Sequence, residues 1–303
     1  MGTNVSFERP DGQMVHAYLA QPAQASSAPG LVVVQEWWGL NDQIRGVADR
    51  FAAAGYCALV PDLYRGKSTV EAAEAEHLMT NLNFGDAAGQ DLRGAVHYLK
   101  QRNTKVGVTG FCMGGALTLL AMVHVPEADA GVAWYGYPPL EYIDAAAIHA
   151  PLMGHFGTDD TVFQIGGVDQ LEDKLRAAKV AFEFHRYKAQ HAFGNETLVG
   201  ANKLAFAEYN AEAAALAWSR TAAFFARPIE LEERLREREL TSGTPCDFRR
   251  RQLRVVVHEN PYARIPIATE LFRGPWDERY GARDGRVQQL FQGDEIAKLP
   301  TKN

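Results

Sequence analysis

The chain has 303 residues, 47% hydrophobic and 22% charged, which is long enough for one large domain with a sizeable core and an appendage. Its formal net charge of −6 argues against a nucleic-acid partner, which would call for a basic face. No apolar run approaches the roughly 18–20 residues of a membrane span, so no membrane partner is expected.

The pattern of the chain predicts alternating strands and helices. A turn at Pro10-Asp11-Gly12 leads into a strand over 14–20. A Pro/Ser/Ala loop follows to Gly30. Residues 31–35 are a continuous apolar run ending in Gln35, as expected of a strand buried on both faces of a parallel sheet. It ends at Glu36-Trp37-Trp38-Gly39-Leu40-Asn41. A helix is expected over 42–54, with Ile44, Val47, Ala48 and Phe51 on one face. Gly55 ends it, and 57–60 is the next strand, stopped by Pro61-Asp62. Helical stretches are expected over 68–82 and 87–101, the second with Leu92, Val96 and Leu99 in a buried stripe. Further strands are predicted at 106–109, 130–134, 152–156 and 181–187. Helices are predicted over 116–122, 167–178 and 201–225.

This alternation implies an α/β fold, with a mostly parallel central sheet and helices on both faces. Ligands bind such sheets beyond the carboxyl ends of the strands. Glu36, Cys112, Tyr135, Asp160 and His191 all fall just past predicted strand ends. Beyond Pro228 the composition changes. Residues 228–303 carry 14 Lys/Arg and 13 Asp/Glu, twice the charge density of 1–227. The expected organisation is therefore a domain over 1–227 and a charged extension over 228–303. The basic cluster Arg249-Arg250-Arg251 reads as a solvated face, and the extension is a candidate surface for homo-oligomerisation.

Three cysteines (Cys57, Cys112, Cys246) are an odd number without metal-ligand spacing. They read as reduced thiols of a cytoplasmic protein, with no metal and no cofactor. Residues 1–5 show no basic region followed by an apolar stretch, so no signal peptide is expected.

Cys112 sits in Gly110-Phe111-Cys112-Met113-Gly114, between a predicted strand and a predicted helix. That is the layout of a nucleophile elbow, with cysteine in the place of serine. Side chains at Gly110 or Gly114 would collide across so sharp a turn. The free N–H groups and dipole of the following helix favour a thiolate. A buried, inert cysteine between a core strand and a core helix is the bland alternative. A cysteine nucleophile needs a base, and the base needs an orienting group. His191, after the last predicted strand, is the candidate base. Asp159 and Asp160, after the strand at 152–156, are both candidates to orient it. The order Cys, Asp, His is that of α/β-hydrolase triads. Glu36 is either a surface cap or a carboxylate in an apolar pocket, where its pKa would rise. The backbone N–H groups of Trp37 and Met113 could form a two-donor oxyanion hole.

Together, Gln35-Glu36-Trp37-Trp38-Gly39-Leu40-Asn41, Pro61-Asp62-Leu63-Tyr64, Gly110-Phe111-Cys112-Met113-Gly114-Gly115, His155-Phe156-Gly157 with Asp160, and His191-Ala192-Phe193 resemble the dienelactone hydrolase (carboxymethylenebutenolidase) family. The resemblance runs from about residue 5 to residue 227. It implies an α/β-hydrolase fold and a triad of Cys112, Asp160 and His191, the Gly-x-x-Asp frame selecting Asp160. It also implies hydrolysis of a lactone or small carboxylic ester through an acyl-enzyme. Glu36 would pair with the resting thiol and take its proton when substrate binds. Trp38, Tyr64, Phe111, Tyr135 and Phe193 would line the substrate pocket. The family's carboxylate-gripping arginines are not matched, since Asn195 occupies the place four residues beyond the histidine and residues 71–91 contain no arginine. A non-catalytic binding protein on the same fold is the competing reading. It would be favoured by a Cys112–His191 separation beyond about 5 Å.

Overall fold

A computed structural model describes residues 2–25 and 28–227. The apolar run before Gln35 becomes β3 (Gly30–Val34), and all five of its residues are buried. Val32 and Val34 pack into one core and Leu31 and Val33 into another, because successive side chains of a strand point to opposite faces. Strand β3 thus divides two apolar layers, which explains its lack of polar alternation.

The other strands are β1 (Thr3–Glu8), β2 (Met14–Ala20), β4 (Cys57–Pro61), β5 (Val106–Phe111), β6 (Ala130–Trp134), β7 (Leu152–Gly157) and β8 (Phe182–Tyr187). All eight form one sheet in the order β1-β2-β4-β3-β5-β6-β7-β8. Strands β1 and β2 are antiparallel to each other, and β2 is antiparallel to β4. Every later pair is parallel. The helices are α1 (Asp42–Ala53), α2 (Ala72–Thr80), α3 (Phe84–Asp86), α4 (Arg93–Lys100), α5 (Met113–His124), α6 (Ile165–Ala177) and α7 (Ala211–Phe225), with a π-helical segment, Ala87–Leu92, between α3 and α4. The expected α/β architecture is the one found. Among the described residues, no helix is long and apolar enough to cross a membrane.

Three local expectations are corrected. Strand β1 has no counterpart in the sequence reading. It is an edge strand of mostly polar residues in which Phe7 alone is buried, so it carries little apolar signal. The helix expected over 68–82 is confined to Ala72–Thr80. The helix expected over 201–225 begins only at Ala211, where the Asn210 side chain accepts the Ala213 N–H at 3.1 Å as its cap. Residues before Asn210 instead form a short 3₁₀ turn (Gly200–Asn202) and two bridges, His191 to Ala207 and Leu204 to Ala207. The extension at 228–303 lies outside the described residues.

Candidate active site

Cys112 occupies the turn between β5 and α5, with φ 55° and ψ −117°. This left-handed conformation is costly for a residue with a Cβ, about 1–3 kcal/mol, and survives where its surroundings enforce it. They do so here. The Cys112 N–H donates to the Trp134 carbonyl of β6 at 3.0 Å. A Cβ on Gly110 would overlap the Gly114 carbonyl, and one on Gly114 would lie 2.5 Å from the Val34 carbonyl oxygen and 2.6 Å from that of Gln35. The turn therefore closes against the end of β3 because both positions are glycine. Tyr135 (φ 37°), after β6, and Ala192 (φ 54°), after His191, also hold positive φ. Three strained non-glycine residues thus share one rim of the sheet.

His191 Nε2 lies 3.1 Å from Cys112 Sγ, and His191 Nδ1 lies 2.8 Å from Asp160 Oδ2. The other Asp160 oxygen accepts the backbone N–H groups of Val162 at 2.8 Å and Phe163 at 2.9 Å. These bonds fix the carboxylate, and the carboxylate fixes the imidazole. All three side chains are buried. Burial opposes a charge on His191. The Asp160 carboxylate and the Cys112 sulfur outweigh it and hold the imidazole pKa well above its ordinary value. Asp159, the competing aspartate, turns outward to pair with Lys188 at 2.7 Å.

Glu36, in the loop after β3, is 3% exposed. Its Oε1 accepts the Tyr135 hydroxyl at 3.3 Å and its Oε2 accepts the Asn195 amide at 2.8 Å. Burial raises its pKa above the usual carboxylate range. The charge of His191 and these two donors pull the other way without cancelling the rise. The Tyr135 hydroxyl is itself pushed far above its usual pKa, first by burial and then by Glu36 and Cys112, so it stays a proton donor. The resemblance led us to expect a resting Glu36–thiol pair. In this structure both Glu36 oxygens are held by Tyr135 and Asn195, and the thiol's partner is His191.

Above the sulfur lies a small cavity lined by Glu36, Cys112 and His191 and by apolar side chains that include Trp37, Trp38, Phe206 and Leu198. Of the expected pocket residues, only Trp38 lines it. Tyr64, Phe111, Tyr135 and Phe193 stand behind the wall. The Tyr64 hydroxyl donates to Met113 Sδ at 3.2 Å. Phe111 and Phe193 pack on Trp134 beneath the site. Tyr135 meets the site through its hydroxyl on Glu36 and through its ring, which packs edge to face on His191 with centroids 5.4 Å apart. Trp37 lines the cavity, and Met113 is the first residue of α5, where backbone N–H groups have no intrahelical acceptor.

Sequence reasoning missed Asn195 as a partner of Glu36, and it missed Met79, Val162, Leu198, Leu204 and Phe206 as cavity wall. Leu204 and Phe206 lie in the segment misread as helix. Asn210, a favoured capping residue before an Ala-rich run, was the available signal that the helix starts later. Among the described residues, no group of three or more His, Cys, Asp or Glu side chains is arranged to hold a metal ion.

The model of the dienelactone hydrolase family matches residues 15–229. The protein usf of Aquifex pyrophilus is 35% identical over 236 residues, covering 74% of this chain and 98% of that protein. A candidate carboxymethylenebutenolidase of Methylorubrum extorquens is 34% identical over 207 residues, 62% of this chain and 71% of its own length. Among solved structures, a candidate dienelactone hydrolase from Klebsiella pneumoniae is 28% identical with a TM-score of 0.66, covering 75% of this chain and 99% of that one. A dienelactone hydrolase-like promiscuous phosphotriesterase from metagenomic libraries is 26% identical with a TM-score of 0.66, covering 75% and 97%.

Proposed function

The chain belongs to the dienelactone hydrolase family, and from that membership we propose that it hydrolyses lactones or small carboxylic esters through a thioester on Cys112. The observation that carries this reading is the continuous chain Cys112–His191–Asp160, with contacts of 3.1 and 2.8 Å in a buried site. A Cys112–His191 contact this short supports an activated nucleophile and falls within the roughly 5 Å beyond which the non-catalytic reading would be favoured.

In the proposed reaction, the Cys112 sulfur attacks the carbonyl carbon of a substrate seated in the cavity. The carbonyl oxygen takes up negative charge between the N–H groups of Trp37 and Met113. As the intermediate collapses, the carbon–oxygen bond breaks and the imidazolium of His191 protonates the departing alkoxide. His191, now neutral, removes a proton from water, which attacks the thioester carbonyl. The acid leaves and the proton returns to the Cys112–His191 pair. Asp160 holds the imidazole in the orientation both half-reactions need. Glu36 is the proposed proton reservoir beside the thiol, since its raised pKa suits it to hold a proton once it leaves Tyr135 and Asn195.

We further propose a hydrolase domain over 1–227 with the remainder as an extension. A cytoplasmic location is consistent with Cys57 and Cys112 both being free. The test of the reaction is steady-state hydrolysis of p-nitrophenyl acetate and a panel of lactones, with Cys112→Ala as control. Turnover by the wild type and its loss in the variant are expected. Equal inactivity of both on every substrate would defeat the proposal.

A further inference from the structure

Among the described residues, every charged group that lines the cavity is already engaged, and none of them is a free cation. His191 is held between Asp160 and Cys112. Glu36 rests on two neutral donors, Asn195 and Tyr135. The arginine nearest in sequence to Tyr64, Arg65, places one nitrogen on both Asp91 oxygens at 2.7 and 3.0 Å and another on the Asp62 carbonyl at 2.9 Å. Lys203, on the loop between Leu198 and Leu204, pairs with Glu208. Arg50 lies over the Trp218 ring, 4.4 Å from its centroid. Among the described residues, no lysine or arginine lines the cavity. The rest of its wall is apolar, with Trp37 and Trp38 packed edge to face at 4.8 Å and with Met79, Leu198, Leu204 and Phe206 beside them.

We infer that the substrate of this site is an uncharged ester or lactone whose non-reacting part is apolar, and that substrates bearing a carboxylate are rejected. The inference rests on the hydrolase reading above and narrows it. A substrate carboxylate would leave water for a wall whose cation, the His191 imidazolium, is already paired with Asp160 and Cys112, and it would sit in the same cavity as the Glu36 carboxyl. Unpaired charge in such surroundings is strongly penalised, and a like charge nearby adds to the penalty. An alkyl or aryl group would instead exchange water for indole, thioether and aliphatic surface, which is favourable. Asn195 is the positioning residue of this arrangement. Its amide anchors Glu36 as a cation would, but adds no charge for a second carboxylate to use.

The test compares p-nitrophenyl hexanoate with p-nitrophenyl hemiadipate, which share a leaving group and differ by a carboxylate in place of the terminal methyl. After subtraction of each spontaneous rate, kcat/KM for the hexanoate should exceed that for the hemiadipate by at least about tenfold. A smaller or reversed ratio overturns the inference and leaves the hydrolase reading intact. Hydrolysis of neither ester by a wild type that turns over p-nitrophenyl acetate or a lactone overturns the inference alone, and inactivity on all of these substrates defeats the hydrolase reading and this inference with it. Phe206→Lys places an ammonium in the partly exposed cavity wall and supplies a second measurement. With its circular dichroism unchanged, it should raise kcat/KM for the hemiadipate about tenfold through a lower KM, with a smaller effect on the hexanoate. An unchanged KM for the hemiadipate in the folded variant overturns the inference.

Discussion

The side-chain amide of Asn195 donates a 2.8 Å hydrogen bond to Glu36 Oε2, joining the loop after His191 to the loop after β3 across 159 positions of sequence. Asn195 is itself fixed, because its Oδ1 accepts the Thr197 N–H at 3.1 Å and the Thr197 hydroxyl at 2.7 Å. A buried carboxyl thus stands in the same cavity as Cys112 on two neutral donors.

That placement sets a pH signature for Glu36. Its pKa is raised by folding, so the native state binds this proton more tightly than the unfolded chain does. The unfolded glutamate titrates near about 4.3. Stability attached to the group is therefore present below that pH and is lost as pH rises through the higher folded pKa. Glu36→Gln removes the loss. Its melting temperature relative to wild type should be more favourable at pH 8 than at pH 4. The scale is a few degrees, since about 1 kcal/mol moves Tm by roughly 2–4 °C in a domain of this size. A difference that is flat with pH would show that burial of Glu36 carries no such cost.

The His191 imidazolium, paired with Asp160, should show a dependence of the same sign. The His191 pKa is raised well above the unfolded value of about 6.5, so the stability contributed by the imidazolium is present below that pH and fades as pH rises through the folded pKa. Asp160→Asn should cost about 3–5 kcal/mol near pH 6, as expected for a broken buried pair, and less in alkaline solution. It should also lower kcat by about 10³–10⁴-fold, because an amide no longer holds the imidazole in its working tautomer. Urea unfolding at several pH values and esterase kinetics on the same preparation check both parts.

The elbow leaves no room at Gly114. An added Cβ would meet two backbone carbonyl oxygens at 2.5 and 2.6 Å, and neither can rotate away. Gly114→Ala should therefore cost about 1–3 kcal/mol or more, as overpacking does, with a lower urea midpoint than wild type. By contrast, a Cβ at Gly89 meets nothing within 4 Å, so Gly89→Ala is the control and should leave the unfolding free energy within about 0.5 kcal/mol of wild type or raise it.

The parts of this molecule that could be read from sequence share a physical cause. Strands β3, β4 and β5 are buried throughout, so their composition alone marks them. Cys112, Asp160 and His191 stand at strand ends, where chain order and spacing carry over directly into space. Strand β1 could not be read, because its pairing with β2 is made by backbone groups while its side chains stay polar. The cavity wall was misjudged for a different reason. Phe111 adjoins Cys112 in sequence, but the end of β5 sends neighbouring side chains to opposite faces, and Phe193 follows His191 past the positive-φ turn at Ala192, so both rings pack on Trp134. The true wall comes from Leu198, Leu204 and Phe206, whose loop has no periodicity to announce it.

The central claim is a covalent intermediate on Cys112. Its most direct test is rapid acid quench of the enzyme during p-nitrophenyl acetate turnover, followed by intact mass and peptide mapping. The prediction is one acetyl group per active chain on the peptide carrying Cys112, formed in a burst and absent from Cys112→Ala. A wild-type enzyme that turns over the ester with no acyl group at Cys112, or a Cys112→Ala variant that turns it over at the wild-type rate, would contradict the account.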